Sequence, residues 1–177
     1  MDKDVEELLI RRHAALGEVI EASAVMEWVL RETFCSLVDS RFAKIVAGGQ
    51  SVVWLIDTSA ALVDAYAQMP AGARKAIKDT LAASRAANER RNHLVHGIKS
   101  TTLTPDGSMH TLKSRRGTDA PIRRDWTLSS IQEVTRELLL ATTSLHVAME
   151  NALPREQLFA DGGFTQMVDD RGTPHPQ

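Results

Sequence analysis

Ile77-Lys78-Asp79-Thr80-Leu81-Ala82-Ala83-Ser84-Arg85-Ala86-Ala87-Asn88-Glu89-Arg90-Arg91-Asn92-His93-Leu94-Val95-His96-Gly97 is the stretch on which the reading of this chain turns. Ile77, Leu81, Ser84, Asn88, Arg91 and Val95 recur in steps of four and three, the spacing of one helix face. That face starts apolar and becomes polar before Gly97, which suits the C′ position of a helix. An amide and a guanidinium on a stripe whose other members are buried need partners, because burying either unpaired is costly. Those partners are a cleft, another chain or a ligand. His96 lies one turn after Asn92 and shares its face, whereas Arg91 and His96 are about 140° apart at ~100° per residue. A single ideal helix therefore does not aim both at one point. The long Arg side chain and a helix end loosened by Gly97 close part of the gap, and a two-fold related copy bringing Arg beside His from the other chain closes the rest.

Outward from this helix, the pattern stays helical. Leu9, Leu16, Leu30 and Leu37, with Val5, Val19 and Met26 on a neighbouring stripe, predict a long helix from Val5 to about Ser40. Trp28 falls off that stripe and signals a second buried face or a dimer contact, His13 reads as exposed, and Cys35 as core. The helical run through Phe42 and Ile45 ends at Gly48-Gly49. Ser51 then caps a second helix to about Met69, with Trp54 and Tyr66 as core candidates. Met69-Pro70-Ala71-Gly72 is a turn, and the third helix runs from about Ala73 to His96. Beyond it the period changes: Thr101–Thr104 and Met109–Leu112 flank Pro105-Asp106-Gly107-Ser108 as a β-hairpin. Arg115–Asp125 reads as a loop. Asp125–Ser129 opens the last helix, with Ser129/Gln132 or Ser130/Glu133 as a capping box, and Ile131, Val134, Leu138, Ala141, Leu145 and Ala148 form its buried stripe. The expected fold is an all-α antiparallel bundle of four main helices with a short β-hairpin inserted before the last. Residues 1–153 form the domain and residues 154–177 a tail with little to bury.

The net charge of −2 hides an asymmetry. Residues 1–69 hold 6 Lys/Arg against 11 Asp/Glu, whereas residues 90–125 hold 8 against 3. The basic stretch starts at the motif, as a phosphate-bearing partner would require, although a solvated basic loop gives the same count. The 177 residues fit one domain, and with 43% apolar residues and no apolar run near the ~18 needed to span a membrane, no membrane contact is expected. The first residues lack the basic-then-apolar pattern of a signal peptide, and one cysteine excludes a disulfide framework. Cytoplasm is the expected location.

Arg91-Asn92-x-x-x-His96, after a long helix and followed by Gly97, resembles the R-x(4–6)-H signature of HEPN-domain ribonucleases. The resemblance covers the motif and the order of helices over most of residues 3–150. It implies an all-α, usually dimeric domain in which two copies of the motif line a shared cleft and RNA is cut without a metal ion or other cofactor. Arg91, Asn92 and His96 become the catalytic candidates. Arg90, His93, Lys99, Lys113, Arg115, Arg116, Arg123 and Arg124 become the RNA-binding candidates. Partners implied are RNA, a second copy of the chain and an antitoxin or regulatory protein. Toxins of this family that are silenced by modification carry Tyr two residues after the His; this chain has Ile98 and departs from that form of control.

The chemistry asks little of such a site. The substrate's own 2′-hydroxyl attacks phosphorus, so the protein supplies proton transfer and charge stabilisation. His96 is the side-chain type that moves a proton near neutrality, Arg91 offers a permanently charged fork, and Asn92 orients the imidazole or meets a ribose. Each residue also has a bland reading. Arg and His in a last turn oppose the helix dipole, Arg91 can pair with Glu89 or an acidic residue of the first helix, and His93 can form an exposed pair with Glu89. His93-x-x-His96 with His110 returning from the hairpin is a poor metal site, lacking a carboxylate at ligand spacing. Gly-rich phosphate loops, serine hydrolase and kinase signatures are absent. The rival reading is a HEPN-like scaffold that binds RNA, a nucleotide or a protein without cutting.

Overall fold

The computed structural model describes residues 3–38, 40–96, 98–99, 109–113 and 122–153. It is an all-α antiparallel bundle with a small sheet inserted before the last helix. The helices are α1 (Lys3–Val38), the short α2 (Ala43–Ala47), α3 (Val52–Ala65), α4 (Ala71–His96) and α5 (Leu128–Ala152). None among the described residues is long and apolar enough to cross a membrane.

The stripes read from sequence for α5 and for the first part of α4 are buried, whereas on α1 Leu9 and Leu16 are half-buried and Val5 is exposed. All six apolar positions of the α5 stripe lie inside, and Ile77, Leu81, Ser84 and Asn88 carry the α4 stripe into the core. Met26 and Leu30 of α1, Leu55 of α3, Leu94 of α4 and Leu145 of α5 are completely enclosed. Each such side chain contributes roughly 1.5–3 kcal/mol relative to exposure. Helices α3 and α4 run antiparallel, laced by Lys78–Asp64 at 2.9 Å and by Arg85–Asp57. At 36 residues α1 is ten longer than α4. Its first buried residue is Ala15, so about three turns, Val5 included, stand largely clear of the core.

Helix ends follow local chemistry. Ser51 caps α3 by accepting from Trp54 N at 3.2 Å, as expected. That helix stops at Ala65 rather than near Met69, and Arg74 donates to the Tyr66 carbonyl at 3.1 Å, satisfying a terminal acceptor. Residues 43–47 form a separate five-residue helix ended at Gly48-Gly49, where Gly49 takes φ 76°.

The insertion is a three-stranded antiparallel sheet in the order β1 (Ile98–Lys99), β2 (Met109–Lys113), β3 (Ile122–Trp126). Met109–Leu112 is a strand as expected, and β1 (Ile98–Lys99) pairs with it antiparallel, with Ile98 opposite Leu112; the expected first strand at residues 101–104 and its turn at residues 105–108 lie outside the described residues. The expectation of a loop up to Asp125 is corrected, because residues 122–126 pair with β2 from Met109↔Trp126 to Lys113↔Ile122. The run of charges Arg123-Arg124-Asp125 is what a solvated edge strand carries. Trp126 is thereby pulled out of the last helix. The N-cap of α5 is Thr127, which accepts from Ser130 N at 3.1 Å, in place of the Ser129 or Ser130 capping box.

Candidate active site at the end of helix α4

The polar part of the α4 stripe is set in the core before it reaches the surface. Ser84 turns its hydroxyl back to the Thr80 carbonyl at 2.9 Å. Asn88 is 5% exposed, Arg91 and Asn92 are half-buried, and His96 is exposed in the last turn. The helix therefore carries one line of polar groups from interior to solvent.

Arg91 and His96 meet within one chain. Arg91 Nη1 lies 3.4 Å from His96 Nε2 and donates to Asn92 Oδ1 at 2.9 Å. Five residues rise about 7.5 Å along a helix, and an Arg side chain laid along the axis spans that offset despite the angular one. No second copy is required to form this contact. A guanidinium has donors only, so the contact is a hydrogen bond when Nε2 presents a lone pair and Nδ1 carries the proton. Asn92, expected to orient the imidazole or to meet a ribose, accepts from the guanidinium. Arg91 Nε is buried and has no hydrogen-bond partner among the described residues. Neither Glu89 nor an acidic residue of α1 pairs with Arg91; its neighbour Arg90 is the one that forms an ion pair, with Glu137 of α5.

His93 corrects another expectation. It is 6% exposed and its ring lies 6.3 Å from that of Trp126, so it is no exposed partner of Glu89. The sheet folded over the helix end is the cause: Trp126 and Met109 are buried, and Trp126 Nε1 donates to Thr111 Oγ1 at 2.8 Å. With His93 under the sheet, it offers no surface to an RNA. Sequence alternation in Met109–Leu112 hinted at the inner face of β2; nothing local marked Trp126 as its partner.

The basic candidates are divided. Lys99 and Lys113 belong to β1 and β2 by backbone, with side chains outside the described residues, and Arg115 and Arg116 lie wholly outside them. Arg123 and Arg124 are exposed on β3. Arg123 Nε donates to Asp125 at 3.2 Å, and His110 Nδ1 sits 2.8 Å from the same carboxylate oxygen. Hydrogen bonds from Arg123 first and His110 second hold the Asp125 carboxyl below the usual carboxylate range. His110 is therefore committed to Asp125 while His93 is covered. Among the described residues no three His, Cys, Asp or Glu side chains converge as metal ligands would.

Comparison of the chain with known protein families, with curated proteins and with solved structures finds no match.

Proposed function

We propose that the protein is a metal-independent endoribonuclease of the HEPN type. The observation that carries this reading is the Arg91–His96 contact at 3.4 Å, with Asn92 attached to the same guanidinium nitrogen. In the proposed reaction the scissile phosphate draws Arg91 off His96 Nε2, and the ribose 2′-hydroxyl gives its proton to that freed nitrogen as its oxygen bonds to phosphorus. The bond to the 5′-oxygen breaks, and that oxygen takes up a proton. Products are a 2′,3′-cyclic phosphate and a 5′-hydroxyl. Arg91 stabilises the charge that accumulates on the non-bridging oxygens, which is where a fixed cation contributes most. Asn92 keeps the guanidinium from swinging into solvent. A homodimer in the cytoplasm, a restraining antitoxin and a role in toxin–antitoxin or anti-phage systems complete the proposal, all on the resemblance of the motif.

A second reading is a binding module that does not cut. It takes its support from the ion pairs Arg90–Glu137 and Arg123–Asp125, which already neutralise two of the cations assigned to RNA.

The deciding experiment incubates purified protein with RNA in excess chelator. Cleavage persists in the wild type and falls about 10²-fold or more in both Arg91→Ala and His96→Ala, in the range of a lost charge stabiliser or proton-transfer group. RNA left intact by the wild type, with or without divalent ions, rejects the enzyme and favours the binding module.

A further inference from the structure

The first turns of α1 carry a surface that the site at the end of α4 does not use. From residue 3 to residue 14 no side chain is buried, a length of about 18 Å at the rise of an α-helix. The apolar stripe nevertheless does not stop where the core stops. Val5, Leu8 and Leu9 continue the face that Val19, Met26 and Leu30 bury further along the same helix. Val5 is 37% exposed, and Leu8 and Leu9 are half-buried.

The charges beside this stripe are unpaired and ordered. Glu6, Glu7, Arg11 and Arg12 make no side-chain hydrogen bond or ion pair with a described residue, although Glu7 and Arg11 are one turn apart. Arg12 lies on the stripe itself, and its Nε is buried without an acceptor, a state that costs free energy until one is supplied. Leu9 is the midpoint of the set: Glu6 and Arg12 stand three residues to either side of it, Glu7 and Arg11 two. A helix in that order is complementary to itself reversed. A two-fold axis at Leu9 sets Glu6 level with the partner's Arg12 and Glu7 level with the partner's Arg11, while the apolar stripes close on each other. A parallel pair would set acid against acid. Residues 3–14 hold three basic side chains (Lys3, Arg11, Arg12) and three acidic ones (Asp4, Glu6, Glu7), so the segment has no net charge to offer a phosphate backbone or an anionic membrane. Its order is what selects a partner. We propose that residues 3–14 of α1 are an interface between two copies of this chain, paired antiparallel about Leu9. The proposal gives a surface to the homodimer named above and rests on that part of the reading; it does not depend on whether the protein cuts RNA.

The test reads oligomeric state rather than cleavage, so the two can fail separately. Sedimentation velocity of the full chain over a concentration series should show a reversible monomer–dimer equilibrium that weakens with added salt. The double variant Glu6→Arg/Glu7→Arg makes the surface basic, and Arg11→Glu/Arg12→Glu makes it acidic. Each should raise the dissociation constant about tenfold or more, since like charges then meet across the axis. An equimolar mixture of the two variants should recover association, because opposite signs meet again. Glu6, Glu7 and Arg11 are exposed, both new side chains favour helix, and circular dichroism verifies that each variant is folded. A wild type that stays monomeric at every concentration leaves the segment to a different partner and overturns the proposal. A dimer that persists in both variants places the interface elsewhere, and a mixture that stays monomeric removes the antiparallel pairing; each overturns it as well.

Discussion

Replacing Thr111 by valine should weaken the whole end of the molecule that bears Arg91 and His96. Thr111 is 0% exposed, and its hydroxyl takes the indole N–H of Trp126 at 2.8 Å in a buried setting. Valine keeps the shape and removes the acceptor, leaving a buried donor unpaired. That costs about 1–3 kcal/mol, offset in part by the added methyl. A net loss of roughly 1.5 kcal/mol with a urea m-value of about 2 kcal/mol/M lowers the unfolding midpoint by about 0.7 M. The cause is isolated by repeating the change in a Trp126→Phe background, where no indole N–H exists to be orphaned. There Thr111→Val should cost at least about 0.5 kcal/mol less, the difference being the coupling between the two side chains. Equal costs in the two backgrounds would refute the idea that this hydrogen bond holds the sheet on the helix end.

Three further outcomes follow from the geometry. If one chain assembles its own Arg–His pair, heterodimers formed from Arg91→Ala and His96→Ala chains stay inactive in an RNA cleavage assay, and restored cleavage would show that the pair forms across chains. Asp125 has its carboxyl lowered on folding, so it stabilises the fold fully above the ordinary carboxylate range and ceases to do so as pH falls through its folded value. Thermal melts of wild type and Asp125→Asn should therefore differ near neutrality and converge in acid. Cys35 has its thiol pushed up, by burial first and by the Glu32 charge second. Glu32→Gln removes the second cause and should speed iodoacetamide alkylation of Cys35 at fixed pH.

Much of the fold was legible in the sequence because side-chain burial on a helix repeats with the helix itself: the α5 stripe needed no tertiary knowledge. The strand at residues 122–126 was not legible, since Arg123-Arg124-Asp125 looks like a loop until Met109 and Trp126 are known to lie opposite each other. His93 was misjudged for the same reason. Its cover comes from residues some thirty positions away, which i, i+4 arithmetic cannot detect. The motif itself was legible as a pattern, but angular periodicity alone kept Arg91 and His96 apart; side-chain length brought them together. Glu137 as the partner of Arg90 required the packing of α4 on α5.

The path from α4 to α5 passes through hydrogen-bonded strands, with β1 following directly on the motif helix and β3 feeding the next one. Such a connection acts as a splint. The last turn of one helix cannot fray or tilt away from the first turn of the other without tearing rungs of the ladder between them, so the distance across this end of the bundle is set by β pairing. Whatever presses on that end meets a stiff frame.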